Sequence, residues 1–206
     1  MSASSSDPRQ PSHPRKITLT REEIIDGLRD LVVSLRTDGH RARLQIVGGA
    51  AIALMLDAGR RATRDVDGPL TPPEVIIAAA EKIAATRGWP QDWVNDSAAQ
   101  FVPHGYGRSA EWRTVYDRDD VVIQIASAET LLAMKLFAAE KRYLREAEDL
   151  AVLLHATGID TVEHAETLYA EFYPGDEFSP RLFELVESIL SSSFRAPPVP
   201  PPPTFE

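Results

Sequence analysis

The chain of 206 residues contains no cysteine, which excludes disulfide bonds and metal sites built on thiolates. It also lacks an apolar run of the roughly 20 residues that a membrane-spanning helix needs, so no membrane partner is expected. Residues 1–16 contain no hydrophobic stretch of the kind that marks a secretory signal. The five histidines show no zinc-binding spacing, and no serine lies in a nucleophile elbow. Together these absences favour a cytoplasmic protein without histidine or serine chemistry.

Positive charge is scarce as well, since 22 lysines and arginines stand against 31 aspartates and glutamates, for a formal net charge of −9 at pH 7. Domains that bind nucleic acid usually carry an excess of basic residues, so the average composition disfavours a polynucleotide partner. A local basic patch stays open, because basic residues cluster at two places. The clusters are Arg60, Arg61 and Arg64, and Lys135, Lys141, Arg142 and Arg145.

Composition along the chain predicts four segments. Residues 1–16, rich in serine and proline, are expected to form a disordered leader. Residues 17–127 are predicted to form an α/β core, and residues 128–194 a helical bundle packed on that core. Residues 195–206 form a proline-rich tail, which is expected to be extended and to pack no core. No internal repeat is apparent.

Hydrophobic periodicity predicts an α+β fold, with a small mixed sheet followed by a C-terminal helical bundle. The first helix is expected to begin after Thr20, because Thr20 and Glu23 have the spacing of a capping box, and to end at Gly39. The other predicted elements are strand 43–47, helix 49–57, strand 64–67, helix 72–87, strands 111–116 and 121–126, and helices at about 128–140, 143–155, 161–172 and 180–192.

Two short motifs carry most of the chemical information. Gly48 and Gly49 end an apolar strand and open a helix, and N–H groups at a helix N-terminus attract phosphate. Asp65 and Asp67 lie on one side of the next strand, about 7 Å apart by the strand rise. Two carboxylates so placed can share one or two Mg²⁺ ions. The pattern therefore predicts a site for a nucleoside triphosphate carried by metal.

Each motif also has a purely structural interpretation. The two glycines could form only a tight connection between strand and helix. Asp65 and Asp67 could be solvated acids in a loop, since Gly68 and Pro69 follow directly. The apolar strand before the glycine pair and the two aspartates after it favour the phosphate interpretation. Unpaired like charges on one strand face repel each other unless a cation lies between them, which favours the metal interpretation.

Three later stretches complete a pattern of motifs: Trp93-Val94-Asn95-Asp96, Leu131-Leu132-Ala133-Met134-Lys135-Leu136, and Arg145-Glu146-Ala147-Glu148-Asp149-Leu150. With the glycine pair and the two aspartates, this order resembles the nucleotidyltransferase superfamily of the polymerase-beta type. More narrowly, it resembles the AbiEii-like and MenT-like nucleotidyltransferase toxins and related uncharacterised families. The resemblance covers residues 22–154.

The resemblance implies a set of residue roles. Asp65 and Asp67 would be catalytic and would hold Mg²⁺, while Gly48, Gly49, Arg64 and Lys135 would bind the nucleotide. Lys135 would grip the triphosphate as a point charge, although a lysine at the rim of a core is the structural alternative. Asp149 would also be catalytic, and it would share a face with Lys135 if one continuous helix carried both.

Two further positions have mainly structural interpretations. Trp93 is expected to anchor its loop in the core, and Asp96 to cap a helix that begins near Ser97. Thr63 could hydrogen-bond within its turn. In some of the toxins that the chain resembles, a hydroxyl at this place is phosphorylated, so Thr63 is a candidate regulatory residue.

The sequence departs from the family pattern at one position. A third acid on a later strand often completes the metal site in the relatives, and the matching strand here has Gln124 at that point. Either Asp149 substitutes for this acid, or one metal position is weak.

Three functions follow from the resemblance and from this departure. The first is transfer of a nucleoside monophosphate from a nucleoside triphosphate to an acceptor such as the 3′ end of a tRNA. The protein would then be the toxin of a toxin-antitoxin pair, with a cognate antitoxin as its partner. The second is transfer to a small molecule or a protein hydroxyl. The third is a non-catalytic protein that binds a nucleotide or a partner.

Overall fold

The computed structural model describes residues 17–142 and 147–205. The predicted leader, Arg145 and the side chains of Lys141 and Arg142 lie outside the described residues. The described part has a mixed α+β fold, as predicted. Its helices are α1 (Arg21–Thr37), α2 (Gly48–Met55), α3 (Pro73–Arg87), α4 (Ala128–Arg142), α5 (Ala147–Thr157), α6 (Val162–Phe172) and α7 (Pro180–Ser191). Its strands are β1 (Ala42–Ile46), β2 (Val66–Asp67), β3 (Leu70–Thr71), β4 (Val94–Asn95), β5 (Trp112–Arg118) and β6 (Val121–Ala126).

Helix α1 begins where the sequence predicts. The Thr20 hydroxyl accepts the N–H of Glu23 at 3.2 Å, and the Glu23 carboxylate accepts the N–H of Thr20 at 2.7 Å. This reciprocal capping box satisfies two of the N–H groups that a helix start leaves without partners. The apolar face of α1 then packs against α3.

A glycine in α1 makes room for two tryptophans. A Cβ at Gly27 would lie 2.6 Å from the Trp89 ring and 2.8 Å from the Trp93 ring, so only glycine fits there. Trp93 is fully buried, and its indole N–H donates to the carbonyl of Ala80 at 2.9 Å. Trp93 therefore anchors the segment that leads into β4, which confirms its predicted role.

The main sheet has the strand order β3-β1-β6-β5. Strands β1 and β6 are parallel, and β3 and β5 add antiparallel to its two edges. Asp119 and Asp120 connect β5 to β6 with positive φ angles of 50° and 64°, as a two-residue hairpin turn requires. Alternate residues of β1 and β6 are buried, and these include Leu44 and Ile123. The sheet therefore has one face on the core, and its opposite face carries the partly exposed glutamines of both strands.

A second, two-stranded sheet pairs β2 with β4 in parallel. It joins the main sheet where the N–H of Val47 donates to the carbonyl of Asp67 at 2.9 Å. The next residue, Gly68, has φ +147°, and a Cβ there would lie 1.9 Å from the carbonyl oxygen of Gln45. Only glycine tolerates this approach, and the approach places Asp67 beside the start of α2.

Helix α4 connects the C-terminal helices to the core. Helix α4 packs against α2, and it also packs against α5, α6 and α7. It thereby forms one wall over the N-terminal end of α2. Within the two described ranges, every helix is either too short or too polar to cross a lipid bilayer.

The expectation that the proline-rich tail packs no core is wrong. Phe205 is 3% exposed and packs edge-to-face on Tyr116, with ring centroids 6.3 Å apart. The tail is extended, and its carbonyl oxygens accept hydrogen bonds from the core. The Arg21 guanidinium donates to Pro201, the Arg29 guanidinium donates to Thr204, and the N–H of Ala58 donates to Pro198. Without secondary structure of its own, the tail is held by donors on α1 and on the loop after α2.

Replacing Phe205 by alanine is expected to lower the free energy of unfolding by about 2 kcal/mol. Replacing a buried phenylalanine by alanine in a central core costs roughly 3–5 kcal/mol. We expect a smaller loss here, because a peripheral segment can relax after the substitution. Urea denaturation of the purified chain measures the change. Val199→Ala is the matched control, because Val199 is 73% exposed in the same tail. Equal stability of the two variants would contradict the packing of Phe205.

Candidate functional site

A cleft of about 280 Å³ opens between the N-terminus of α2, the end of β2 and helix α4. Its lining includes Gly48, Asp67 and Lys135, one residue from each of three motifs that are far apart in the sequence. The other described residues that line the cleft are mostly apolar. They are Val47, Ser97, Ala98, Phe101, Leu131, Met134, Phe137 and Ala138. The structure thus places a helix N-terminus, a carboxylate and an ammonium group around one cavity.

Asp67 is half-buried at the end of β2, and one of its carboxylate oxygens accepts the N–H of Ala98 at 2.8 Å. Burial raises the pKa of Asp67, the hydrogen bond from Ala98 opposes the rise, and the charge of nearby Asp65 adds to it.

The prediction that Asp96 caps a helix near Ser97 is wrong. A short 3₁₀ helix, Ala99–Phe101, follows instead, and it has no side-chain cap.

Asp65 lies beside Asp67, but it is not among the residues that line the cleft. Burial raises its pKa, the Arg64 charge opposes the rise, and the charge of Asp92 adds to it. Arg64 is exposed, and its guanidinium binds the carboxylate of Asp92 at 2.6 Å. The structure therefore places Arg64, a predicted nucleotide-binding residue, outside the cleft.

The Asp65 and Asp67 carboxylates suit a magnesium ion. Protein sites usually hold Mg²⁺ through one or two carboxylates together with the phosphates of a substrate. Both carboxylates are half-buried, and each has a raised pKa to which a nearby carboxylate contributes. A cation bound beside Asp67 would relieve the repulsion that the charge of Asp65 exerts on it, so these two carboxylates are the residues that could hold the ion.

Lys135 and Asp149 meet across two helices, not along one. On a single straight helix their separation would be about 21 Å, whereas the Lys135 Nζ and an Asp149 carboxylate oxygen are 2.8 Å apart. Packing of α5 against α4 brings them together. The condition of one continuous helix, under which the two would share a face, is not met, and the two side chains meet instead between the two helices.

Asp149 also binds Arg60, which the sequence marked only as part of a basic cluster. The Arg60 Nε and Nη2 donate to the two Asp149 oxygens at 2.8 and 2.9 Å. The side chains of Arg60, Asp149 and Lys135 are 12%, 10% and 16% exposed. Burial alone would raise the pKa of Asp149, but the hydrogen bonds from Arg60 and the charge of Lys135 outweigh it and lower the pKa. Asp149 is therefore ionised and is the common partner of two cations, which leaves the three side chains with a net positive charge.

Arg60 also closes on the start of α2. A Cβ at Gly49 would lie 2.7 Å from an Arg60 guanidinium nitrogen, so glycine is needed for this contact. Gly48, the neighbouring residue, has φ +65° and lines the cleft. Helix α2 has no side-chain cap at its N-terminus. The positive dipole end of α2 and the Lys135 ammonium group, which both lie at the cleft lining, thus make it attractive to an anion.

The structure does not favour Asp149 as the third metal acid, because its carboxylate binds Arg60 and Lys135, and that role stays a prediction. Gln124 does not take that role either. Its amide accepts from Gln45 at 3.0 Å and donates to Thr114 at 3.2 Å, which forms a row of neutral side chains across the open sheet face. Among residues 17–142 and 147–205, no group of three or more potential metal-ligating side chains is present.

Thr63 lies outside the cleft lining and is half-buried. Its backbone forms an antiparallel bridge with Leu19, in which the N–H of Thr63 donates to the Leu19 carbonyl at 3.0 Å. The bridge fixes the approach to Asp65 two residues later. The regulatory role of Thr63 stays a prediction.

Comparisons with models of protein families, with curated proteins and with solved structures found no match to this chain. The resemblance to nucleotidyltransferases therefore rests on the sequence motifs, and the cleft provides the geometry against which it can be assessed.

Proposed function

We propose that this protein is a metal-dependent nucleotidyltransferase, which moves a nucleoside monophosphate from a nucleoside triphosphate to an acceptor hydroxyl. The observation that carries the proposal is the common cleft of Gly48, Asp67 and Lys135. These three groups match the three needs of a triphosphate site: backbone N–H donors, a carboxylate for Mg²⁺ and a cation for phosphate oxygens.

Each residue has a role that follows from its contacts. The N-terminus of α2, entered through Gly48 and Gly49, would receive phosphate oxygens. Lys135 would bind the same phosphates, and Arg60 would hold Asp149 and thereby the position of the Lys135 ammonium group. Asp67, supported by Asp65, would hold Mg²⁺, which supplies charge neutralisation for the phosphates when bound.

The reaction forms one bond and breaks one. The acceptor oxygen bonds to the α-phosphorus, and the bond from that phosphorus to the oxygen bridging to the β-phosphate breaks. Pyrophosphate leaves with the bonding electron pair, and the hydroxyl proton passes to the Asp65 and Asp67 pair or through it to water. In this scheme the chain's main contribution is to position the phosphates and to stabilise their charge.

The resemblance supports a more specific version of this proposal. The acceptor would be the 3′ end of a tRNA, and the protein would be a toxin neutralised by a cognate antitoxin in the cytoplasm. Phosphorylation of Thr63 would then add negative charge next to Asp65 and weaken triphosphate binding. Transfer to a small molecule or a protein hydroxyl is compatible with the same cleft and with the net charge of −9.

A labelling experiment tests the proposal. The purified chain is incubated with Mg²⁺, total RNA and each of the four nucleoside triphosphates labelled at the α-phosphate. Label on RNA is expected for a tRNA acceptor, and label on protein or small molecules for the other acceptors. Lys135→Ala should reduce transfer at least 10-fold, whereas Lys82→Ala should not, because Lys82 is exposed on α3. Absence of label transfer to any acceptor with all four nucleotides would overturn the proposal.

The neutral row of Gln45, Gln124 and Thr114 favours a second candidate, a nucleotide-binding protein without catalytic activity. A site with two carboxylates can hold a metal-bound triphosphate, but it has fewer groups to activate an acceptor. In the same experiment this candidate predicts triphosphate binding without transfer of label to any acceptor.

A further inference from the structure

The apolar end of the cleft is formed by aromatic rings. Phe101 and Phe137 both line the cleft, and their ring centroids are 6.1 Å apart at an interplanar angle of 41°. Phe101 is 42% exposed, one of the larger exposures of an apolar side chain in the described residues. A large exposed apolar ring inside a cleft is a typical contact for a ligand.

The two rings are held in place from behind. Tyr173 stacks on Phe137 with centroids 4.9 Å apart and an interplanar angle of 22°. Its hydroxyl also donates to the Phe101 carbonyl at 2.8 Å. Burial raises the pKa of Tyr173, so this donor keeps its proton. A single residue at the end of α6 therefore fixes both the ring of Phe137 and the backbone of Phe101 before any ligand binds.

Polar side chains are few in the cleft. Among the described lining residues only Asp67, Ser97 and Lys135 carry polar side-chain groups. The proposed function uses Asp67 and Lys135 for the metal and the phosphates, which leaves Ser97 alone at the rim. Leu131 and Met134 complete an apolar surface beside the rings. A base in this part of the cleft would be held by stacking and apolar contact, and side chains would contribute little to reading its edge.

The size of the cleft agrees with partial enclosure. Pockets that enclose a small molecule usually have volumes of about 300–1,000 Å³, and this cleft has about 280 Å³. A nucleoside triphosphate would therefore be enclosed in part, with some of the molecule open to solvent at the cleft mouth.

We propose that the Phe101 and Phe137 rings form a base-binding site, which takes purine nucleoside triphosphates in preference and discriminates only weakly among the bases. The inference rests on the proposed function, because it assumes that the phosphates lie at the Gly48 and Lys135 end. Stacking attraction exists for every base and is larger for the larger purine ring, so a stacking site ranks bases by size.

Binding measurements separate this inference from the proposed function. Titration calorimetry with Mg²⁺ compares ATP, GTP, CTP and UTP with inorganic tripolyphosphate, which has the phosphates but no base. Wild-type protein should bind all four nucleotides within about 10-fold of one another, with purines tightest, and should bind tripolyphosphate more weakly. A preference above 100-fold for one base, or for pyrimidines over purines, would overturn the inference.

Substitution of Phe101 gives the sharper comparison. Phe101→Ala should weaken nucleotide binding about 10-fold and leave tripolyphosphate binding unchanged. Phe101→Trp keeps an aromatic ring at this position and should bind nucleotides about as tightly as the wild-type protein. Phe183→Ala is the matched control, because Phe183 is similarly exposed, at 37%, on α7 and does not line the cleft. An equal loss for nucleotides and tripolyphosphate, or no loss for either, would overturn the inference of base stacking and would leave the proposed function standing. Failure of the wild-type chain to bind any of the five would overturn the proposed function together with the inference.

Discussion

Replacing Asp67 by asparagine is expected to reduce nucleotidyl transfer by at least about 100-fold, with the fold retained. Asparagine has the same shape and can still accept the N–H of Ala98 through its amide oxygen, so the local hydrogen bond survives. What is lost is a negative charge that lines the cleft. Removal of a single hydrogen-bond donor from an oxyanion hole costs about 10²–10³ in rate, or about 2.7–4 kcal/mol, and we expect the loss of a full charge beside the phosphates to cost at least as much as the lower of these values.

The measurement is the initial rate of label transfer at several Mg²⁺ concentrations. Raising Mg²⁺ should restore part of the activity, because the variant has a weaker metal site and an otherwise complete cleft. Asp117→Asn is the control, since Asp117 is an exposed aspartate on β5 that does not line the cleft. Wild-type rates for Asp67→Asn at low Mg²⁺ would refute a role of this carboxylate in metal binding.

The largest expected change in stability comes from replacing Asp149 by asparagine, which should lower the free energy of unfolding by about 3–5 kcal/mol at pH 7. Removal of one partner from a buried ion pair leaves the remaining charges without compensation, and such changes have costs of this size. Here two cations, Arg60 and Lys135, would lose their common partner, and each side chain is less than one fifth exposed.

The pH dependence of this effect has a definite sign. The pKa of Asp149 is lowered in the folded protein, so its ionisation contributes stability above the pKa of the unfolded chain. That contribution is lost as the pH falls through the lowered folded-state pKa. The stability difference between the wild-type protein and Asp149→Asn should therefore be full at neutral pH and should shrink in acid.

Urea denaturation at a series of pH values measures both effects. Glu148→Gln is the matched control, because Glu148 is the neighbouring acid, is 76% exposed and contacts Arg61 at a longer distance of 3.4 Å. Exposed ion pairs of this kind contribute little to stability, so the control should unfold like the wild-type protein. A similar stability for Asp149→Asn and Glu148→Gln at neutral pH would contradict the buried cluster.

Local sequence signals predicted the helices and the strands β1, β2, β5 and β6, but they did not predict the two-residue strands β3 and β4 or which elements pack together. The capping box of Thr20 and Glu23 and the helix start at Gly48 and Gly49 each depend on neighbours within a few residues, so periodicity and capping rules apply directly. The predicted strand 64–67 is shorter in the structure, at Val66–Asp67, because tertiary pairing with β4 and not local propensity determines where it begins.

The candidate site depends more strongly on distant contacts. The sequence predicted Gly48, Asp67 and Lys135, all of which line the cleft. It could not predict that Arg60 binds Asp149, 89 residues away, because no local pattern links an arginine in a loop to an acid in a helix. Phe101 and Phe137 were also missed, because an aromatic residue is most often part of a core and no local pattern marks it as lining a cleft.

The Arg60 and Asp149 pair has a consequence for protein engineering. One cluster both joins the loop after α2 to α5 and positions the lysine that lines the cleft, so the proposed function would link thermostability and turnover through the same three side chains. A designer who replaced the cluster with well-packed leucine and methionine would often gain melting temperature, as buried ion pairs elsewhere show. Here that gain would remove the cations that the proposed function requires, so useful stabilising substitutions should be sought far from this corner.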